Sequence, residues 1–143
     1  MSMVLTKESK IILTPTYYVF EMYRVHQDAT LVPMDLESDC EYEFDGDSLQ
    51  ALNASASKDK EGTLHISIVN IDPKQAVDLS IEVRGQDVSS VSGRILTAPE
   101  LSSHNTFDQP NAVKPEPFRG AKLGRDGVTM KMPAKSIVVL ELK

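Results

Sequence analysis

The sequence predicts an all-β fold, a β-sandwich of jelly-roll or Greek-key type, that follows one strand–helix unit at the N-terminus. From Ala29 onward apolar residues recur at every second position, most clearly at Leu64, Ile66 and Ile68. This period is typical of strands with one buried face. Gly and Pro turn signals separate the runs, and many short strands with such spacing indicate a sandwich or jelly roll.

The N-terminal unit has a different pattern. The apolar run 11–13 predicts a strand that is buried on both faces. Thr14 is a suitable helix cap and Pro15 is favoured at the first helical position, so a helix is predicted over residues 16–28. Its polar residues form one narrow stripe, at Glu21, Arg24 and Asp28. We therefore expect this helix to be buried around most of its circumference.

The remaining chain divides into nine predicted strands. They cover residues 30–32, 40–44, 49–58, 63–70, 76–84, 93–97, 118–123, 128–132 and 136–142. Turn residues separate them at 45–47, 60–62, 72–73, 126–127 and 133–135. The change of period near residue 29 predicts two parts, residues 1–29 and residues 30–143.

Composition excludes several classes of partner. The net charge is −6, and the basic residues are scattered without a run or stripe, so we expect neither nucleic acid nor an anionic membrane surface as a partner. No apolar run approaches the roughly 20 residues that a membrane-spanning helix needs. Residues 1–10 lack the pattern of a signal peptide. The single cysteine, Cys40, forbids an internal disulfide, and we expect it to be buried and free.

The residues themselves predict no catalytic, metal or cofactor site. The three histidines show no ligand spacing, and His65 is expected in a solvated or cross-strand position. Ser102 and Ser103 beside His104 are too weak a motif for a nucleophile and base. The acidic residues 41, 43, 45 and 47 alternate with Tyr42 and Phe44, which predicts one solvated acidic strand face. A calcium site at 45–47 lacks the full loop pattern.

The segment 95–117 is the longest stretch without a period. A loop of this length in a compact domain is usually functional or disordered. Its candidate binding or docking residues are His104, Asn105, Phe107 and Asp108. Asn and Asp can bond local backbone, and Phe107 can anchor in an apolar seam. Docking to neighbouring structure is favoured over ligand contact, and both interpretations stay open.

Three segments carry a resemblance to a known family. Residues 11–33, IILTPTYYVFEMYRVHQDATLVP, resemble the last strand and helix of the catalytic (β/α)₈ barrel of glycoside hydrolase family 51, the α-L-arabinofuranosidases. Residues 93–117, GRILTAPELSSHNTFDQPNAVKP, resemble the C-terminal sandwich domain of that family. The ending PAKSIVVLEL resembles the last strand of the same domain. The resemblance implies that residues 1–29 are a barrel remnant and that this chain is a fragment.

The resemblance also implies a parent enzyme. It would remove terminal α-L-arabinofuranosyl groups from arabinan or arabinoxylan, as part of L-arabinose metabolism, with two catalytic glutamates on earlier barrel strands. Neither matching motif occurs here, so no catalytic residue is assigned and the chain alone is expected to be inactive. The implied partners are the missing barrel, a homo-oligomer and, through the parent, an arabinose-containing polysaccharide. The alternatives are an independent carbohydrate-binding module and a complete small enzyme. The compartment stays open between bacterial cytoplasm, periplasm and secretion.

Overall fold

The computed structural model describes residues 2–125 and 127–143. Its helical part consists of α1, Pro15–Tyr23, and a 3₁₀ turn at Arg24–His26. The strands are β1 Val4–Lys7, β2 Lys10–Leu13, β3 Thr30–Val32, β4 Glu41–Phe44, β5 Asp47–Gln50, β6 Leu52–Lys58, β7 Leu64–Asn70, β8 Val77–Ile81, β9 Val91–Thr97, β10 Glu116–Pro117, β11 Ala121–Leu123, β12 Val128–Met132 and β13 Ser136–Leu142.

Two antiparallel sheets form the sandwich. One has six strands in the order β10-β9-β13-β7-β6-β3, and the other has three in the order β11-β12-β8. Apolar side chains from both sheets meet between them in a single buried cluster, because alternate residues of each strand point to this inner face. Its fully buried members are Leu52, Ala56, Leu64, Ile66, Ile68, Val128, Met130, Met132, Val138, Leu140 and Leu142. The predicted antiparallel β-sandwich is confirmed.

Helix α1 covers the opposite, outer face of the six-stranded sheet. Met22 on α1 packs with Leu96 on β9 and Val139 on β13, and Val113 completes this second buried cluster. Strand β13 is therefore covered on both faces, and His26, just beyond α1, lies over Ser67 on the outer face of β7. This cover explains the nearly continuous burial of both strands.

The N-terminal strand differs from its prediction. Strand β2 pairs antiparallel with β1, so the two form a hairpin and β2 has its partner within the chain. Ile12 is buried, at 4% exposed, whereas Ile11 on the other face is 67% exposed. The expectation of a strand buried on both faces was wrong, because the hairpin offers cover to only one side. The assignment of residues 1–29 to a barrel remnant stays a prediction.

The helix is shorter and more exposed than expected. It ends at Tyr23, and after the 3₁₀ turn Gln27 is extended and Asp28 has a positive φ of 59°. Only Met22 of α1 is buried, and Phe20 is 65% exposed. The prediction of near-complete burial was wrong, because a helix that lies on one sheet buries only its own stripe of residues that faces the sheet.

One predicted strand is divided and another is shortened. The segment 49–58 becomes β5 and β6, since the backbone of Ala51 bonds both Cys40 and Ile71 where the chain changes partner strand. Of the segment 118–123 only residues 121–123 form a strand, β11, and β10 precedes this segment, because the chain passes there from the six-stranded to the three-stranded sheet. Strands β3, β12 and β13 match their predicted bounds. Of the predicted turn at 126–127, Asp126 lies outside the described residues.

Two further predictions are corrected at the β4–β5 hairpin and at Cys40, which precedes it. Asp47 pairs with Phe44 in the register, so its side chain shares the face of Phe44 rather than that of Glu41 and Glu43. The four acidic residues therefore do not form one strand face. Cys40, expected to be buried, is half-buried and free.

Candidate functional site

The long loop is fastened to the N-terminal hairpin by one side chain. Asn105 is 4% exposed, and its Nδ2 donates hydrogen bonds to the carbonyl oxygens of Leu13, at 2.7 Å, and Val113, at 2.9 Å. Its Oδ1 accepts a hydrogen bond of 2.7 Å from the backbone N–H of Val113. The amide thus closes the loop upon itself and joins it to the end of β2, 92 positions away in sequence.

The other three candidate residues of the loop lie elsewhere. His104 is exposed, and its Nδ1 donates to the carbonyl oxygen of Ser102 at 2.8 Å. Phe107 is half-buried and belongs to neither buried cluster, and Asp108 is exposed. The local turn is made instead by Thr106, whose Oγ1 accepts from the backbone N–H of Gln109 at 3.0 Å. The structure therefore does not bring the four residues together as one site, and their docking role stays a prediction.

A polar layer lies beneath the end of the helical segment. The Nδ1 of His26 is 2.6 Å from Ser57 Oγ, and its Nε2 is 3.1 Å from Ser67 Oγ. A neutral imidazole offers one donor and one acceptor, and hydroxyl groups can complement both. Sequence reasoning missed these partners, although the serines at outer-face positions of apolar strands β6 and β7 were a signal of polar contact there.

A second imidazole, that of His65 on β7, is buried, whereas that of His26 is half-buried. His65 is 6% exposed, and its Nε2 lies 2.9 Å from Asp59 Oδ2. Of the two positions predicted for His65, the solvated one was therefore wrong, and the cross-strand one agrees with its pairing with Glu141 and Ser57. The hydrogen bond from His65, followed by that from the backbone of Thr63, holds the pKa of Asp59 below its usual range against the opposing effect of desolvation. The Nδ1 of His65 has no hydrogen-bond partner among the described residues.

The polar layer predicts a dependence of stability on pH. Burial, and then the nearby His65, lower the pKa of His26 below its ordinary value of 6.5. A histidine with a lowered folded-state pKa binds protons more readily when unfolded, so stability is present above pH 6.5 and falls as the pH drops through and below that value. We expect wild type to lose more stability between pH 7.5 and pH 5 than His26→Gln does, measured by urea unfolding. Equal losses of stability in the two proteins would contradict a role of His26 in this pH dependence. Asp59 does not account for the difference, because its lowered pKa places its titration below this pH window.

An exposed apolar surface lies on the N-terminal unit. Five of its large side chains are at least 40% exposed: Met3, Val4, Leu5, Ile11 and Phe20. Val4 and Ile11 share one face of the β1–β2 hairpin, Leu5 lies on the opposite face with Ile12, and Phe20 is on the solvent side of α1. Exposed apolar side chains mark sites of protein contact more often where several occur in one region than where they are isolated. We call these five residues together the N-terminal apolar surface.

The described residues carry no metal-binding group. Nowhere in ranges 2–125 and 127–143 do three His, Cys, Asp or Glu side chains lie together in a way that could hold an ion. The helical part that the structure describes contains no segment long and apolar enough to cross a bilayer.

The fold and these contacts define a class: a β-sandwich domain with an anchored loop and exposed apolar residues on its N-terminal unit. Comparison with known families gives the narrower assignment. Residues 1–136 match the model of the α-L-arabinofuranosidase C-terminal domain. The chain belongs to that family, and the resemblance seen in its sequence is confirmed.

The relatives are much longer than this chain. An intracellular exo-α-L-arabinofuranosidase of Bacteroides ovatus is 45% identical over 99% of the chain, which spans 28% of that protein. The crystal structure of the family 51 arabinofuranosidase from Xanthomonas axonopodis pv. citri superimposes with a TM-score of 0.95 at 40% identity, over 99% of this chain and 28% of the other. The arabinose complex of the Thermotoga maritima α-L-arabinofuranosidase gives a TM-score of 0.81 at 26% identity, over 96% and 30%.

Proposed function

We propose that this chain serves as the non-catalytic C-terminal domain of an α-L-arabinofuranosidase and supports a catalytic module that binds its N-terminal apolar surface. The observation that carries the proposal is the match of residues 1–136 to the C-terminal domain of that enzyme family. The exposure of Ile11, at 67%, and Phe20, at 65%, supports a partner at this surface. Covering apolar surface with a partner removes it from water, which lowers the free energy.

The proposal includes a division of the chain. Residues 1–29 would adjoin, or form the last part of, a catalytic barrel, and residues 30–143 would be the sandwich proper. Asn105 would then join the two parts through its bond to Leu13. The substrate would be terminal α-L-arabinofuranosyl groups of arabinan or arabinoxylan, and a homo-oligomer of the whole enzyme is a further prediction of this interpretation.

A chimera tests the proposed function. The segment of the Bacteroides ovatus relative that matches this chain would be replaced by the present 143 residues. We expect the chimera to hydrolyse p-nitrophenyl α-L-arabinofuranoside with a far longer half-life than the relative without its C-terminal segment, because the sandwich restores a buried interface. The isolated chain should give no hydrolysis. Turnover by the isolated chain, or a chimera that is inactivated as fast as the truncated protein, would overturn the proposal.

Paired surface variants locate the docking face. Phe20→Ser in the chimera should shorten the half-life of activity, since a polar side chain would lie in the apolar interface. Leu49→Ser is the matched control, because Leu49 is equally exposed, at 64%, but lies on the β4–β5 hairpin. Neither variant should alter the stability of the isolated chain by more than about 0.5 kcal/mol. If Leu49→Ser had the larger effect, docking through the N-terminal apolar surface would be excluded.

A further inference from the structure

A polar groove crosses one end of the outer face of the six-stranded sheet. Glu141 on β13 pairs in register with Ser92 on one side and His65 on the other, and His65 pairs with Ser57. These four residues form a polar row across four strands. In the next row Val139 lies between Arg94 and Ser67, and beyond it Leu96 pairs with Ile137; α1 packs on Val139 and Leu96. The helix thus covers the apolar part of this face and leaves the polar row beside it.

Two pockets meet along this row. The outer pocket has a volume of about 570 Å³, the inner pocket has a volume of about 180 Å³, and His65 and Glu141 line both. The groove formed by the two pockets therefore has one shared polar wall. Further residues of the outer pocket are Asp59, Glu61, Gly62, Thr63, Gln86 and Lys143. The inner pocket continues between α1 and the sheet, where Met22, Val25 and Val139 give it an aliphatic wall.

The charges of the groove restrict the ligand class. Three carboxylates, Asp59, Glu61 and Glu141, face the outer pocket together with one ammonium, that of Lys143. Lys143 is already paired with Glu141, at 2.6 Å, and Arg94, which lines the inner pocket, is paired with Glu21, at 2.8 Å. An anionic ligand would therefore meet uncompensated negative charge. A metal ion is not favoured either, because no suitable triplet of ligating side chains exists among the described residues.

The hydrogen-bonding groups suit hydroxyls. Carboxylate oxygens accept strong hydrogen bonds from O–H donors, while the Gln86 amide and the Ser92 hydroxyl can donate or accept. The imidazole of His65 has its Nε2 occupied by Asp59, yet its buried Nδ1 lacks a hydrogen-bond partner within residues 2–125 and 127–143. A buried acceptor without a donor is costly. A small apolar wall beside several convergent polar groups is the usual composition of a small-molecule site.

We propose that this groove is a binding site for a neutral polyhydroxyl molecule, with one sugar residue in the inner pocket and further residues in the outer pocket. The carboxylates of Glu141 and Glu61 accept hydrogen bonds from vicinal hydroxyls, and the C–H face of the ring lies on the aliphatic wall. The site belongs to this chain alone, so it does not depend on the proposed catalytic partner.

Titration of the 143-residue chain by amide NMR tests the site. L-Arabinose and α-1,5-linked arabinotriose are the probes, and glycerol and D-glucuronate are the comparison ligands. We expect saturable shifts of the amides of His65, Ser92 and Glu141, with a Kd on the order of 1 mM for the monosaccharide and tighter binding of the trisaccharide. Glucuronate should bind more weakly than the neutral sugar.

One variant in the groove and one control outside it complete the test. Glu141→Gln should raise the Kd about tenfold, because a charge-assisted hydrogen bond becomes a neutral one. Glu82→Gln is the control, since Glu82 is 61% exposed and pairs with Arg84 outside the groove. Equal shifts with glycerol would mean an adventitious additive only. The proposed site would be overturned by that outcome, by the absence of saturable shifts with either sugar, or by an unchanged Kd in Glu141→Gln. None of these outcomes bears on the chimera experiment.

Discussion

Replacement of Asn105 by alanine should lower the free energy of unfolding by about 2–4 kcal/mol, since several buried polar groups lose their partners at once. The carbonyl oxygens of Leu13 and Val113 lose donors, and the backbone N–H of Val113 loses its acceptor. Asn105 is 4% exposed, so water cannot replace these bonds without local opening. Urea unfolding of the 143-residue chain, followed by circular dichroism, measures the change.

Two further variants show whether the hydrogen bonds themselves cause the loss. Asn105→Asp keeps the acceptor for Val113 but places a carboxylate against two carbonyl oxygens, so it should be at least as harmful as alanine. Asp108→Ala is the control from the same loop, because Asp108 is exposed and forms no hydrogen bond among the described residues. It should change stability by less than about 0.5 kcal/mol. A loss in Asp108→Ala that equals the loss in Asn105→Ala would assign the effect to the loop in general.

The sequence alone predicted the sandwich because its strands carry their own signal. Strands β12 and β13 alternate or run apolar between Gly, Pro and Lys turn residues, so their bounds follow from a local period. The division at Ala51 leaves no such signal, because the change of partner from Cys40 to Ile71 depends on where distant strands lie. A local pattern therefore predicts where a strand forms better than it predicts the sheet to which the strand belongs.

The candidate sites show the same limit. Asn105 was one of four residues chosen from the loop, and nothing local distinguishes it, because its partner Leu13 is 92 positions away. The polar layer and the groove join His26, His65 and Glu141 from three distant segments. Only pairing of β7 with β13, and packing of α1 on β9 and β13, brings these groups together. Helix burial was overestimated for the same reason, since the sequence shows which residues are apolar and not which side a partner covers.

Replacement of Met22 by alanine should also be strongly destabilising, by about 2–5 kcal/mol for a fully buried methionine. Met22 is 2% exposed and joins α1 to Leu96 and Val139 of the six-stranded sheet. The loss of stability should appear as a lower midpoint of one cooperative transition in which the whole chain unfolds. Phe20→Ala on the same helix is the matched control, because Phe20 is 65% exposed and should contribute less than about 0.5 kcal/mol.

The form of that transition tests the boundary proposed near residue 29. If α1 folds with the sandwich, Met22→Ala lowers the midpoint of a single transition, and far-ultraviolet and near-ultraviolet signals stay coincident. If residues 1–29 are a separate unit that only rests on the sheet, the variant releases α1 in an early transition and leaves the sandwich midpoint unchanged. We expect the first result, because Val139 lies on β13, whose other face provides Val138 and Leu140 to the main core. A contact with the central strand couples the helix to that core, so the boundary in sequence pattern need not be a boundary in folding.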